Sequence, residues 1–203
     1  MSNHPYYPKT LHLPNYLPQT HSALQILLTL ALTLGSVQAF AYYKISQKNL
    51  GKKYNLQFIW FLTSGLIHST IEVYFILNNT RLVEDLGVMG SLWKEYAKSD
   101  SRYLTQDSLI LVMESITVLI WGPLSLLTSY LIYTYNPARH LTIILVCLAH
   151  LYGCTIYYLT TLYEGSIHCD PQAYYFWGYF IGFNAPWIIF PIGILLNSSK
   201  VIL

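Results

Sequence analysis

His68 and Glu72 stand four residues apart in the run FLTSGLIHSTIEVYFIL, which places them on one face of a helix near the middle of an apolar stretch. Glu114, with Thr117 one turn later, interrupts a second such run, SLILVMESITVLIWGPLSLL. An acid at the centre of a lipid-embedded helix costs roughly 2.5 to 3.5 kcal/mol, so it normally faces a partner or a wet cavity. None of the apolar runs holds a lysine or arginine, which leaves His68, His150, hydroxyls, Asn184 and the acids themselves as partners. One carboxyl is then expected to stay neutral, and a neutral acid in an apolar pocket is a proton donor held ready. Asn184 and Trp187, three apart, share a face of another helix; a tryptophan at that depth can present its π face to a positive centre in a ligand. His150 has no acid within a turn and reads as a packing or helix-contact residue.

A buried acid, a buried base and aromatic faces suit proton transfer to and from an apolar molecule through a cation. Alkene isomerisation is the simplest such reaction: one group protonates a ring carbon and another removes a proton from a neighbouring carbon. Apolar walls keep water from trapping the cation, and anionic or π-rich groups lower its energy. The chemistry requires no cofactor, and no metal site is expected. The structural alternative is that Glu72 and Glu114 serve only as hydrogen-bonding glue between helices.

These residues must be carried by membrane-spanning helices. The chain has 203 residues, 54% hydrophobic and 10% charged, against about 25% charged in a soluble domain. Windows of about 20 apolar residues occur five times, at about 24–43, 56–77, 108–135, 140–163 and 174–196. The expected fold is therefore all-α, a single integral membrane bundle of five transmembrane helices, with Gly122-Pro123 kinking the third and Pro186 and Pro191 interrupting the fifth. The one long polar connection, 78–107, carries four basic and five acidic residues and is the expected lid or mouth. Lys44, Lys48, Lys52 and Lys53 crowd the first connection without an acid, which by the positive-inside rule makes it cytosolic, the N-terminus luminal and the C-terminus cytosolic.

The composition also excludes some classes. A formal net charge of +2, scattered along the chain, argues against a nucleic-acid partner. Cys147, Cys154 and Cys169 show no metal-ligand spacing and read as packing residues. The first twenty residues contain four prolines and lack the apolar core of a signal peptide, so the N-terminus is expected to be retained. Five spans offer no obvious pair of repeats, which weighs against a proton-coupled transporter.

The segments HPYYPKTLHLPNYLP, GLIHSTIE, WKEYAKSDSRY, MESITVLIWGPLSLL, LYGCTIYYLT and YFIGFNAPW, in this order and spacing, resemble the emopamil-binding protein family over nearly the whole chain. That resemblance implies a sterol Δ8-Δ7 isomerase of the endoplasmic reticulum membrane that also binds cationic amphiphilic amines. Its polar site corresponds to His68, Glu72, Glu114, Thr117, Asn184 and Trp187. Catalytic roles are thus expected for His68, Glu72, Glu114, Asn184 and Trp187, and substrate contacts for Thr117, Tyr96, Tyr103 and Trp121. The implied reaction protonates the sterol at C9, passes through a C8 cation and loses a proton from C7. The assignment of acid and base stays open, as do another terpenoid substrate, a non-catalytic sterol- or amine-binding role and a homodimer.

Overall fold

Ser22 opens the first helix with a reciprocal cap: its hydroxyl accepts the Gln25 N–H, and its own N–H donates to the Gln25 side chain at 2.8 Å. The computed structural model describes residues 4–202, with side chains from 4 to 196. From that cap the chain runs through α1 (Ala23–Ser46), α2 (Lys52–Asn78), α3 (Val88–Tyr96), a 3-10 turn (Ser101–Leu104), α4 (Ser108–Ile116), α5 (Gly122–Tyr133), α6 (Arg139–Tyr163) and α7 (Pro186–Ile202). Among the described residues, five helical stretches are long and apolar enough to cross a membrane: α1, α2, Ser108–Tyr133, α6 and Tyr174–Leu196. The five expected spans thus exist, the fifth with its expected bounds and the other four with ends shifted by a few residues. α1 and α2 extend past the apolar windows through Lys44, Lys52 and Lys53, whose long stems let the charges reach the interface. The third span stops at Tyr133, and Tyr135 takes a left-handed φ of 53° in the turn.

The expected kink at Gly122-Pro123 takes the form of a π-helical turn, Thr117–Trp121, joining α4 to α5. Pro123 has no N–H to give, and its ring would crowd the carbonyl four residues back. Widening the turn lets the Gly122 N–H reach the Thr117 carbonyl instead. The fifth span is likewise π-helical over Tyr174–Gly182, ahead of Pro186 at the first position of α7. Pro191 sits inside α7, which continues through it.

α2 is the spine of the bundle, and small residues make it so. Gly65 lies so close to α5 that a methyl group there would come within 2.6 Å of the Leu126 side chain. Gly122 brings α5 against His68 in the same way, at 3.0 Å from its Cβ. Ser64, Ser125 and Thr128 are fully buried along this seam, as expected where helices in lipid approach through small side chains. α1 lies along α2 with most of its surface exposed, which suits contact with lipid.

The polar connection is a structured cap rather than a loop. α3 and the 3-10 turn cover one end of the bundle, and residues 4–21 strap across them. The Leu17 N–H bonds the Val83 carbonyl at 3.0 Å, buried Lys94 gives its ammonium to the Leu17 carbonyl at 2.8 Å, and Gln19 reaches Glu95 at 2.7 Å. Burial draws the Lys94 ammonium below its usual range, against the opposing pull of Asp85. Segment 164–172 closes the cap, with the Ser101 N–H on the His168 carbonyl and the Asp170 N–H on the Lys98 carbonyl. Beneath lies an apolar core that includes Tyr6, Phe75, Leu82, Trp93, Tyr103, Tyr157 and Phe180. Cys147, Cys154 and Cys169 are free and buried, in keeping with packing.

Candidate active site

Helical spacing delivers the first pair: His68 Nδ1 lies 2.8 Å from both carboxylate oxygens of Glu72. Two oxygens equidistant from one nitrogen fit a single N–H shared between two acceptors, so Nδ1 carries the proton. His68 is buried, held from behind by the close approach of Gly122. The Glu114 carboxyl, on the last turn of α4, faces that of Glu72 and accepts the Tyr103 hydroxyl at 2.7 Å. Burial, and then the neighbouring Glu114 carboxyl, push the Tyr103 hydroxyl well above its usual range, so it remains a donor.

Tyr96, from α3, and Asn184, from the last span, meet above these groups. The Asn184 amide donates to the Tyr96 hydroxyl at 3.0 Å and to the Phe180 carbonyl at 2.8 Å. Burial raises the Tyr96 hydroxyl too, with Asn184 opposing. Trp187 lies one turn beyond, its ring centroid 6.2 Å from that of His68 and its indole N–H without a hydrogen-bond partner among the described residues. Thr117 and Trp121 come from the π-helical turn, where the Thr117 hydroxyl is committed to the Met113 carbonyl at 2.9 Å.

All nine expected residues line one cavity of about 720 Å³, within the range that encloses small-molecule ligands. Ile26, Ile71, Leu92, Met113 and Ile156 supply apolar wall between the polar groups. Leu27 and Val112 also line it while remaining 52% and 59% exposed, so the cavity borders surface that lipid would cover. The arrangement presents two facing carboxyls, an imidazole and a tryptophan inside apolar walls, a setting for proton transfer away from bulk water.

Several contributors were missed by sequence reasoning. Trp93 lines the cavity, stacks on Tyr103 at 5.1 Å between centroids and anchors α3 to the Ile71 carbonyl through its indole N–H. Its place in the WKEYAKSDSRY segment was the available signal. Tyr157 is a second buried wall residue from α6. His150, expected to pack or to contact a neighbouring helix, is on the cavity wall with Nε2 3.3 Å from Nε2 of His68. The two are 82 positions apart, so spacing carried no trace of the contact.

A capped five-span bundle with two carboxyls, an imidazole and a tryptophan around an apolar, lipid-bordering cavity has the architecture of a multi-pass membrane protein. Residues 88–198 match the family described as EBP: EXPERA (EXPanded EBP superfamily), and the chain belongs to that family. It is 36% identical to the 3-beta-hydroxysteroid-Delta(8),Delta(7)-isomerase of Mus musculus over 97% of this chain and 87% of the relative. A probable isomerase of the same name from Oryza sativa subsp. japonica is 35% identical over 98% and 92% of the two chains. A protoglabretal synthase of Ailanthus altissima is 32% identical over 100% and 93%.

Proposed function

We propose that this protein is a sterol Δ8-Δ7 isomerase of the endoplasmic reticulum membrane, protonating its substrate at C9, stabilising a C8 cation and removing a proton from C7. The observation that carries the reading is the pair of facing carboxyls, Glu72 and Glu114, set in an apolar cavity beside His68 and Trp187. The isomerase names of full-length relatives support it. Such a reaction needs one acid and one base on a single bound molecule, and two carboxyls in one cavity supply both. Apolar walls withhold the water that would capture the cation, and Trp187 offers a π face to it. Tyr96, Tyr103, Thr117 and Trp121 hold the apolar rings, with Asn184 fixing Tyr96. The N-terminus faces the lumen: the bundle end that carries Lys44, Lys48, Lys52, Lys53 and Arg139 has no acid and belongs in the cytosol.

Incubating purified protein with a Δ8-sterol in deuterated water tests the reaction. The expected product is the Δ7-sterol with one deuterium at C9, because the proton delivered comes from an exchangeable carboxyl. A Δ7 product without deuterium would refute protonation at C9, and recovery of unchanged sterol would refute the substrate. A second reading, the same cation chemistry on another terpenoid, draws on the full-length similarity to the protoglabretal synthase. Conversion of a non-sterol triterpenoid where the Δ8-sterol is inert would favour it.

The cation makes a further prediction. A sterol-shaped tertiary amine, protonated at neutral pH, should inhibit more strongly than its uncharged isostere. Apolar burial is equal for the two, while a desolvated cation-π contact is worth about 2 kcal/mol, or roughly thirtyfold in affinity. Trp187→Leu should erase most of that preference and spare the affinity for the isostere. Equal inhibition of wild type by the two compounds would count against a cation in the site.

A further inference from the structure

Both ring nitrogens of His68 are occupied. Nδ1 gives its proton to Glu72 at 2.8 Å, and Nε2 faces Nε2 of His150 at 3.3 Å, so one proton lies between the two rings. With Nδ1 of His68 already protonated, a neutral His68 can only accept at Nε2, and His150 must then be the donor. The surroundings of His150 agree. It is buried on α6, in T-shaped contact with Trp60 at 6.1 Å between centroids, and its Nδ1 has no hydrogen-bond partner among the described residues. An Nε2–H tautomer leaves a bare lone pair at that buried position, whereas the alternative would strand an N–H there. Buried donors without partners are the rarer and costlier case.

We propose that His150 is a positioning residue that donates its Nε2–H to His68 and thereby locks His68 in the tautomer whose Nδ1–H is given to Glu72. The contact assigns roles that spacing left open, and it rests on the isomerase reading. Glu72, whose two oxygens already accept the imidazole N–H and have lone pairs to spare, is the base. His68 has no lone pair left for substrate and acts through Glu72. Glu114, with one oxygen taken by the Tyr103 hydroxyl, carries the proton on the other and is the acid. The Glu114 O–H bond breaks as the C9–H bond forms from the alkene pair. The C7–H bond then breaks, its electrons become the new double bond, and the proton passes to Glu72. The proton on Glu72 then exchanges with solvent between turnovers and Glu114 is reprotonated, which resets the site.

Two variants and one spectrum decide the matter. His150→Gln keeps an amide N–H that can reach His68, and His150→Leu has no donor. Nitrogen-15 NMR of histidine-labelled protein in lipid nanodiscs should show His68 as the Nδ1–H tautomer in wild type and in His150→Gln, and as a mixture in His150→Leu. Turnover of a Δ8-sterol should fall about tenfold in kcat for His150→Leu with KM little changed, part of the contribution of the proton-transfer pair it supports, and should largely return in His150→Gln. An Nε2–H form of His68 in wild type would overturn the proposal, as would an unaltered His68 spectrum in His150→Leu or equal damage from both variants. The tautomer spectra do not depend on the substrate. A wild type inert toward Δ8-sterols therefore removes the substrate reading and leaves this test intact.

Discussion

Replacing Glu114 by glutamine should lower isomerase turnover by about 10² to 10⁴-fold, the range typical of a lost general acid or base. Glutamine fits the same space and can still accept the Tyr103 hydroxyl that now donates to Glu114 at 2.7 Å. It cannot deliver a proton to carbon. The loss should appear in kcat with little change in KM, because the apolar walls that bind the substrate are untouched. The check is steady-state turnover of reconstituted protein together with its thermal unfolding profile. Near-normal turnover by a folded Glu114→Gln protein would remove Glu114 from the chemistry and leave it as interhelical glue.

The largest effect on stability should come from the cap. Asp100 and Arg102 are almost fully buried and pair at 2.6 Å, and Arg102 also gives a hydrogen bond to the Thr161 hydroxyl on α6. Burial alone would lower the basicity of Arg102, but the hydrogen bonds and charge of Asp100 more than compensate. Asp100→Ala removes the close counter-charge of that guanidinium and leaves only the partly exposed Glu164 carboxylate at 3.4 Å; breaking a buried pair typically costs about 3–5 kcal/mol, so the cap should detach from α6 at markedly lower temperature. Tyr103 follows Arg102 by one residue, so activity should fall with it. A double change to Asp100→Leu and Arg102→Met should recover much of the stability, since two apolar side chains replace a buried pair at small net cost. A double variant as unstable as the single one would place the defect elsewhere in the cap.

What could be read before folding divides along a physical line. The spans were legible because hydropathy is a local property, and their ends moved by a few residues because lysines such as Lys52 tolerate the helix terminus. His68 and Glu72 were legible because helical geometry alone joins residues four apart. Glu114 was legible as a charge where charge is expensive, although nothing in its run announced that it would face Glu72. The contact between His68 and His150 was not legible, nor was the strap formed by residues 4–21, whose partners at Val83, Lys94 and Glu95 lie 66 to 77 positions further along. The π-helical turns escaped as well. Prolines signal that a helix must deviate, but whether it bends or widens depends on the neighbours it packs against, here α2 through Gly65 and Gly122.

The strap has a consequence for the order in which the protein is made. Residues 4–21 leave the ribosome ahead of all five spans, yet they have nothing to close upon until α3 has followed them. Arg102 awaits Thr161, the cap awaits His168 and Asp170, and the cavity lacks Asn184 and Trp187 until the last span is inserted. Through most of its synthesis the nascent chain therefore offers the membrane two acids and a histidine without their full set of partners. Those residues are the hardest to leave bare in lipid, so each added span improves their shelter and the final one completes it. A truncation within the last span should thus be cleared by membrane quality control rather than persist, because it exposes Glu72 and Glu114 as degradation signals.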